Sequence, residues 1–212
     1  EAQGTMKISS TGDYLAVAAG DRVEVYNFND STGEISDSVV IQLDGTGPAY
    51  GVEFSPDGGK LYVTNATGLY QYDITDTLGN RLPNDSIRAE NHRDTIATGT
   101  NFGALQLAPD NSIYMAVDGA TSLGVINNPT GDGDEVDFQL SGFDLNGGVS
   151  TKGLPNFVQS FFEPPQGPSL GYQDACGPGS IDLFASGWGD RDDFEWTVDG
   201  STRPKQRMLT QI

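Results

Sequence analysis

Phe54-Ser-Pro-Asp-Gly-Gly-Lys-Leu-Tyr-Val63 decides the fold. The alternating run Tyr50-Gly-Val-Glu-Phe54 leads into it, and the strand Leu61-Tyr-Val63 leaves it. Between them the turn is chemically specified. Pro56 presets one backbone dihedral, Asp57 can bond nearby N–H groups, and Gly58 tolerates a positive φ. The same pattern recurs at Ile8-Ser-Ser-Thr-Gly-Asp-Tyr-Leu-Ala-Val17 and at Leu107-Ala-Pro-Asp-Asn-Ser-Ile-Tyr-Met115, about 46 residues before and about 53 residues after the middle copy. In the third copy Asn111 replaces the glycine. Asparagine is the next best residue for a left-handed conformation, so the replacement supports the alignment.

Each copy continues into further extended segments. In the first, Val23 and Val25, with Asn27, lie on one face of an alternating strand, while Glu24, Tyr26 and Phe28 lie on the other. Ile35 to Leu43 supplies a fourth strand there. The second copy adds Gly68–Asp73, then a polar stretch, residues 74–101, where Ile87 and Ile96 mark an outer strand and a loop. The third adds Leu123–Ile126, a loop from Asn127 to Asp134, and a strand from Val136 to Leu140. A four-stranded unit repeated at this spacing is the signature of a β-propeller blade. One blade cannot bury its own faces and needs a neighbour on each side. Propellers typically run from about four to eight blades, so three copies make a partial ring. Its uncovered faces and strand edges are expected to pair with missing blades or with a second chain.

Near residue 163 the composition changes. Glu163-Pro-Pro-Gln-Gly-Pro168 reads as a semi-rigid spacer at a domain boundary. Beyond it, Ser180–Ala185 and Asp193–Gly200 read as two strands of a sandwich, the second alternating Phe194, Trp196 and Val198 on one face. An immunoglobulin-like module needs about 100 residues, so this segment reads as the start of one. The expectation is all-β: a partial propeller over 1–162, a linker over 163–169, and a truncated immunoglobulin-like domain over 170–212.

With 11 Lys and Arg against 30 Asp and Glu, the net charge is −19. A field of that sign repels phosphate backbones and anionic lipid, which argues against nucleic-acid and membrane-surface partners and suits divalent cations and basic partners. The 28 Gly and 11 Pro fall largely between short alternating runs and mark turns rather than long helices. No apolar run reaches the roughly 20 residues of a membrane span. Cys176 is the single cysteine, so a disulfide framework within the chain is excluded.

The best metal candidates are Asp132, Asp134 and Glu135 in the acidic loop Gly131-Asp-Gly-Asp-Glu135, where flanking glycines let the backbone fold around an ion such as Ca²⁺. The plainer alternative is a solvated acidic turn. Asp190, Asp192 and Asp193 form a second such turn. No cofactor is required. Nucleophilic catalysis has little to build on: His92 is the single histidine, beside Arg93 and Asp94, and Cys176 lies in the other module.

The ordered set Tyr50–Gly58, Leu61–Thr64, Leu69-Tyr-Gln-Tyr-Asp73, Gly103-Ala-Leu-Gln-Leu-Ala-Pro-Asp110, Leu123-Gly-Val-Ile-Asn-Asn-Pro129 and Gly153-Leu-Pro-Asn-Phe-Val-Gln-Ser-Phe-Phe162 resembles the YVTN/WD40-like propeller region of large Bacteroidetes surface proteins. In that family an immunoglobulin- or PKD-like domain follows, then a C-terminal gliding-motility-associated sorting domain for the type IX secretion system. The resemblance covers residues 5–162 well and 170–200 loosely. It implies an extracellular or cell-surface location, a multidomain context and no established catalytic residues. It also gives meaning to a triplet of Asp, hydroxyl residue and aliphatic residue at Asp37-Ser38-Val39, Asp76-Thr77-Leu78, Asp85-Ser86-Ile87 and Asp94-Thr95-Ile96. These look like O-glycosylation signals of exported Bacteroidetes proteins, with sugar on Ser38, Thr77, Ser86 and Thr95. Two functional readings follow. One is a non-enzymatic scaffold or binding module for a protein or glycan ligand. The other is a hydrolase similar to the YVTN-like lactonases, which requires His, Glu, Arg or metal ligands converging at the channel mouth.

Overall fold

The structure is a computed structural model of the 212-residue chain. It describes all residues except 1–3, 44–46, 77, 85–86, 88–92, 158–168, 175–180, 187–195, 199–200 and 204–212. The chain divides into two compact units, Glu1–Phe162 and Glu163–Ile212.

The first unit is three four-stranded antiparallel meanders. Blade one is β1 (Met6–Ile8), β2 (Tyr14–Ala19), β3 (Arg22–Asn29) and β4 (Glu34–Gln42). Blade two is β5 (Val52–Phe54), β6 (Lys60–Thr64), β7 (Gly68–Asp73) and β8 (Arg93–Thr98). Blade three is β9 (Phe102–Leu107), β10 (Ile113–Val117), β11 (Ser122–Ile126) and β12 (Phe138–Asp144). Strands pair in sequence order within each sheet. The first unit is therefore an all-β partial propeller.

The repeated turn takes the same form in all three blades. Gly12, Gly58 and Asn111 have φ of +78°, +73° and +64°. Their N–H groups donate to Ser9 O, Ser55 O and Ala108 O at 3.0, 2.9 and 3.0 Å. A turn followed by one left-handed residue matches the twist of the two strands it joins. The opening serine helps: Ser55 Oγ accepts from Lys60 N at 2.9 Å, as Ser9 Oγ does from Tyr14 N at 3.1 Å. Because Phe54 pairs with Leu61, and Ile8 with Leu15, the turn fixes the register and hence which side chains face inward.

Burial follows the period of two. Val23 and Val25 of β3 are fully buried, with Ala16, Ala18, Val39 and Ile41, against Val52, Phe54, Leu61, Val63, Tyr70 and Tyr72 of blade two. The opposite parity of blade two, Tyr62 and Leu69, packs on Leu105, Leu107, Ile113, Met115 and Ile126 of blade three. Blade two is thus buried on both faces. Met6 and Ile8 of blade one, 58% and 45% exposed, occupy the positions that Val52 and Phe54 bury completely in blade two.

Two expectations need correction. Ile96 does lie in the outer strand β8, but Ile87 is fully buried in the core shared by blades one and two instead of marking an outer strand or an exposed loop. The last strand of blade three runs from Phe138 to Asp144, not from Val136 to Leu140. Gly133–Val136 is one 3₁₀ turn that ends where Asp137 takes φ +48°. Asn127 Nδ2 holds that residue by donating to both Asp137 O and its carboxylate, each at 3.1 Å.

In the second unit, β13 (Ser169–Asp174) pairs antiparallel with β14 (Ile181–Ser186), and β15 (Trp196–Val198) with β16 (Ser201–Arg203). Among the described residues no helix is long and apolar enough to cross a membrane.

The turn geometry sets a test. Asn111→Gly is expected to keep or slightly raise stability, whereas Asn111→Val should cost about 1–2 kcal/mol because a β-branched side chain resists the left-handed region. Urea unfolding of the three proteins measures this. Equal midpoints for Val and Asn would show that the turn is not held left-handed.

Candidate functional site

The three innermost strands carry a polar residue at one equivalent place: Lys7 before Ile8, Glu53 before Phe54, Gln106 before Leu107. All three are buried, at 7%, 0% and 6% exposure. Lys7 Nζ lies 3.1 Å from the Glu53 carboxylate and donates to Gln106 Oε1 at 2.6 Å. The same carboxylate accepts from Phe54 N at 3.0 Å and from Leu107 N at 2.9 Å. One ion pair therefore clasps all three blades from the axis side. A buried charge is tolerated only when paired and hydrogen-bonded, and both conditions are met. The alternating pattern alone reads such positions as solvent-facing. Recurrence of a polar residue at the same place in each repeat is the signal that marks them.

The turns gather a second polar group. A cleft of about 670 Å³ opens where the repeated turns of blades one and two meet the Thr130 loop of blade three. Asp13, Asp57, Asp73, Asp76 and Asp132 line it, with Lys60 as the cation. Lys60 Nζ bonds Asp73 at 2.6 Å and also bonds Asp132, tying blade two to blade three. Burial opposes its charge, but the hydrogen bonds to Asp132 and Asp73 outweigh it and raise the ammonium above its ordinary 10.5.

The Thr130 loop is held rigidly. Tyr62 Oη donates to Pro129 O at 2.9 Å, and Gln71 Nε2 donates to Tyr62 Oη and to Gly131 O, each at 2.7 Å. Gly133 N donates back to Gln71 Oε1 at 3.2 Å. Burial drives the Tyr62 hydroxyl's pKa well up, so it stays a neutral donor. At the cleft rim, Asp76 accepts from Asn80 N and Leu78 N, each at 2.9 Å. These bonds, Asn80's first, hold its carboxyl below the usual range. Asp57 is occupied by its own turn, accepting from Ser55 Oγ at 2.5 Å and from Gly59 N at 3.0 Å.

The three residues read as calcium ligands do not converge. Asp132 points to Lys60, while Asp134 and Glu135 stand exposed in the 3₁₀ turn. Among the described residues no group of three or more His, Cys, Asp or Glu side chains is placed to hold a metal ion. Ser38 and Thr95 are exposed on the outer strands β4 and β8. Thr77, Ser86, His92, Cys176, Asp190, Asp192 and Asp193 lie outside the described residues.

No protein-family model matches the chain, and no curated protein matches it. Solved structures with some likeness include the Kuenenia stuttgartiensis hydrazine synthase, at 19% identity and a TM-score of 0.37 over 57% of this chain and 31% of that one. The holo pyranose dehydrogenase PQQ domain from Coprinopsis cinerea gives 14% identity and 0.42 over 59% and 33%. A calcium structure of a Trichoderma reesei carbohydrate-active enzyme of family AA12 gives 20% identity and 0.41 over 57% and 31%. The chain spans about a third of the length of these proteins, and similarity at this level carries no argument about activity.

Two outcomes are expected from the charged pairs. Lys7→Met leaves Glu53 buried without its cation and should cost about 3–5 kcal/mol. Adding Glu53→Gln, which keeps the acceptor for Leu107 N, should restore much of that loss in a double-mutant cycle read by urea unfolding. Additive losses would show that the pair does not hold the blades. Lys60 has its pKa raised on folding, so its contribution is whole below its ordinary 10.5 and lost as pH climbs through the raised value. Lys60→Met should remove that alkaline decline in thermal unfolding, a modest effect of up to about 1 kcal/mol for a partly exposed pair.

Proposed function

We propose that this chain is a non-enzymatic binding and scaffold module of a secreted or cell-surface multidomain protein, a propeller segment of the YVTN/WD40-like kind found in Bacteroidetes proteins exported by the type IX system. One observation carries the binding role. Rigid turns and a pinned loop from three blades bring five aspartates around one cleft, with a single lysine among them. Loops on a stiff sheet frame are the usual place for recognition. A cleft of this charge suits a basic polypeptide segment and rejects phosphate and anionic lipid. Two of the carboxylates, Asp57 and Asp76, are already engaged in shaping their own turns, which favours a fixed recognition surface over a proton-transferring pair.

The test is fluorescence anisotropy with a labelled oligolysine peptide, against an oligoglutamate of the same length. The oligolysine should bind saturably, weaken with salt and weaken further in Asp13→Asn and Asp132→Asn. Equal binding in the two variants would remove the cleft from the account. Multiple-turnover opening of a simple lactone, lost in Asp132→Asn, would replace it with the lactonase reading. Surface export has its own check. Peptide mapping of the protein from its native source should find the peptides that carry the exposed Ser38 and Thr95 heavier than their bare sequence by a sugar mass. A bare mass would overturn the glycosylation proposal.

A further inference from the structure

We propose that Asn146-Gly147 is a self-modifying site, at which the Gly147 amide nitrogen attacks the Asn146 side-chain carbonyl and the asparagine becomes aspartate or isoaspartate. The product loosens the turn that ties blade three to the segment after it. The proposal is independent of what the cleft binds.

The pair sits in the turn that follows β12. Asn146 and Gly147 are both exposed and both left-handed, with φ of +50° and +90°. Gly148 N donates to Leu145 O at 3.0 Å and Asn146 N to Asp144 Oδ1 at 2.8 Å, and these two bonds close the turn. Among the described residues the Asn146 side chain, the Asn146 carbonyl and the Gly147 N–H bond to nothing. The peptide plane between the two residues is therefore unpinned at both ends. Gly147 adds no Cβ to obstruct it, and nothing lies within 4 Å of the place a Cβ would take. Rotation of that plane brings the nitrogen onto Cγ.

Other asparagines are held where this one is free. Asn128 precedes Pro129, which has no N–H to attack with. Asn65 Oδ1 accepts from Thr67 N and Gly68 N, Asn80 Nδ2 donates to Asp76, and Asn127 Nδ2 donates to Asp137. Asn111 shares the left-handed conformation, but the next amide, Ser112 N, is already donated to Asp110 Oδ1 at 3.0 Å. Asn101 is left-handed and exposed too, yet its carbonyl accepts from Asp118 N at 2.9 Å and the buried Phe102 follows it.

The step balances without an oxidant or reductant. The Gly147 N–Asn146 Cγ bond forms as Cγ–Nδ2 breaks, and the Gly147 proton leaves with Nδ2 as ammonia. Water then cleaves the ring nitrogen from Cγ, giving aspartate, or from the backbone carbonyl carbon, giving isoaspartate. Isoaspartate routes the main chain through the former side chain and lengthens it by one methylene. The span it lengthens is fixed at both ends: Leu145 N donates to Thr121 O at 2.9 Å, Ser150 N to Ala120 O at 2.8 Å, and Gly119 N to Ser150 O at 2.9 Å. Either product also sets a new carboxylate beside Asp144, and like charges so close disfavour the closed turn. Both effects weaken the bonds at Ser150, and with them the link from Ala104 N to Lys152 O at 2.7 Å.

The test holds the full 212-residue protein in mildly alkaline buffer, which favours the attacking amide anion, and maps its peptides by mass. The peptide containing Asn146 should gain about one dalton and separate into aspartate and isoaspartate forms. Its conversion should run within about thirtyfold of a free Ser141–Thr151 peptide, the slowing expected from opening the turn's two hydrogen bonds. Asn146→Gly, which keeps the left-handed freedom and removes the amide, should show no gain. In the converted fraction, amide exchange at Ser150 and Ala104 should quicken. A folded protein still unconverted when the free peptide has been consumed many times over overturns the proposal, as does equally fast conversion at Asn101. Exchange at Ser150 that is the same before and after conversion overturns the loosening.

Discussion

Everything in the first unit depends on a sheet that is apolar on both faces. Blade two places Phe54, Leu61, Val63 and Tyr72 on one side and Tyr62 and Leu69 on the other, each at 3% exposure or less. Neither face can be left in water: a fully buried large side chain contributes about 1.5–3 kcal/mol relative to an exposed one. Blades one and three are therefore conditions for blade two and not merely its neighbours. The apolar packing is quasi-one-dimensional, blade one on two and two on three, while Lys7 reaches past blade two to Gln106 of blade three.

Polar groups then turn this apolar stack into a specific one. Hydrophobic faces alone tolerate sliding, because burial is non-directional. Lys7, Glu53 and Gln106 do not, since a shift of one residue would strand a charge in the core. On the neighbouring strands β6 and β7, Lys60, Tyr62 and Gln71 hold the Thr130 loop against blade two. One clasp joins the innermost strands and the other the strands next to them, and the acidic cleft takes its shape from the second. Lys60 and Asp132 both line the cleft and join blade two to blade three, so the cleft is held by the sheets that carry it.

Much of this was legible in the chain. The three turns could be aligned residue by residue because only Gly or Asn fits the left-handed position, which leaves a readable mark at Gly12, Gly58 and Asn111. The alternation of Val23 and Val25 announced a buried face for a similar reason. Ile87 and the boundary of β12 were less legible, since their places are set by contacts with residues distant in sequence and by Asn127 holding Asp137. Carboxylates close together in sequence, Asp132, Asp134 and Glu135, suggested a shared ion. A single 3₁₀ turn spreads them apart and gives Asp132 to Lys60 instead.

By itself the sequence determined the all-β class, the three-fold repeat, the turn chemistry and the strongly acidic surface, because each of these is local or compositional. Only the tertiary structure decided which polar residues are buried partners and which aspartates share a cleft. Those depend on side chains far apart in the chain being brought within about 3 Å by blade stacking, the range in which a hydrogen bond forms. Periodicity along one strand carries no record of the strand that will lie against it.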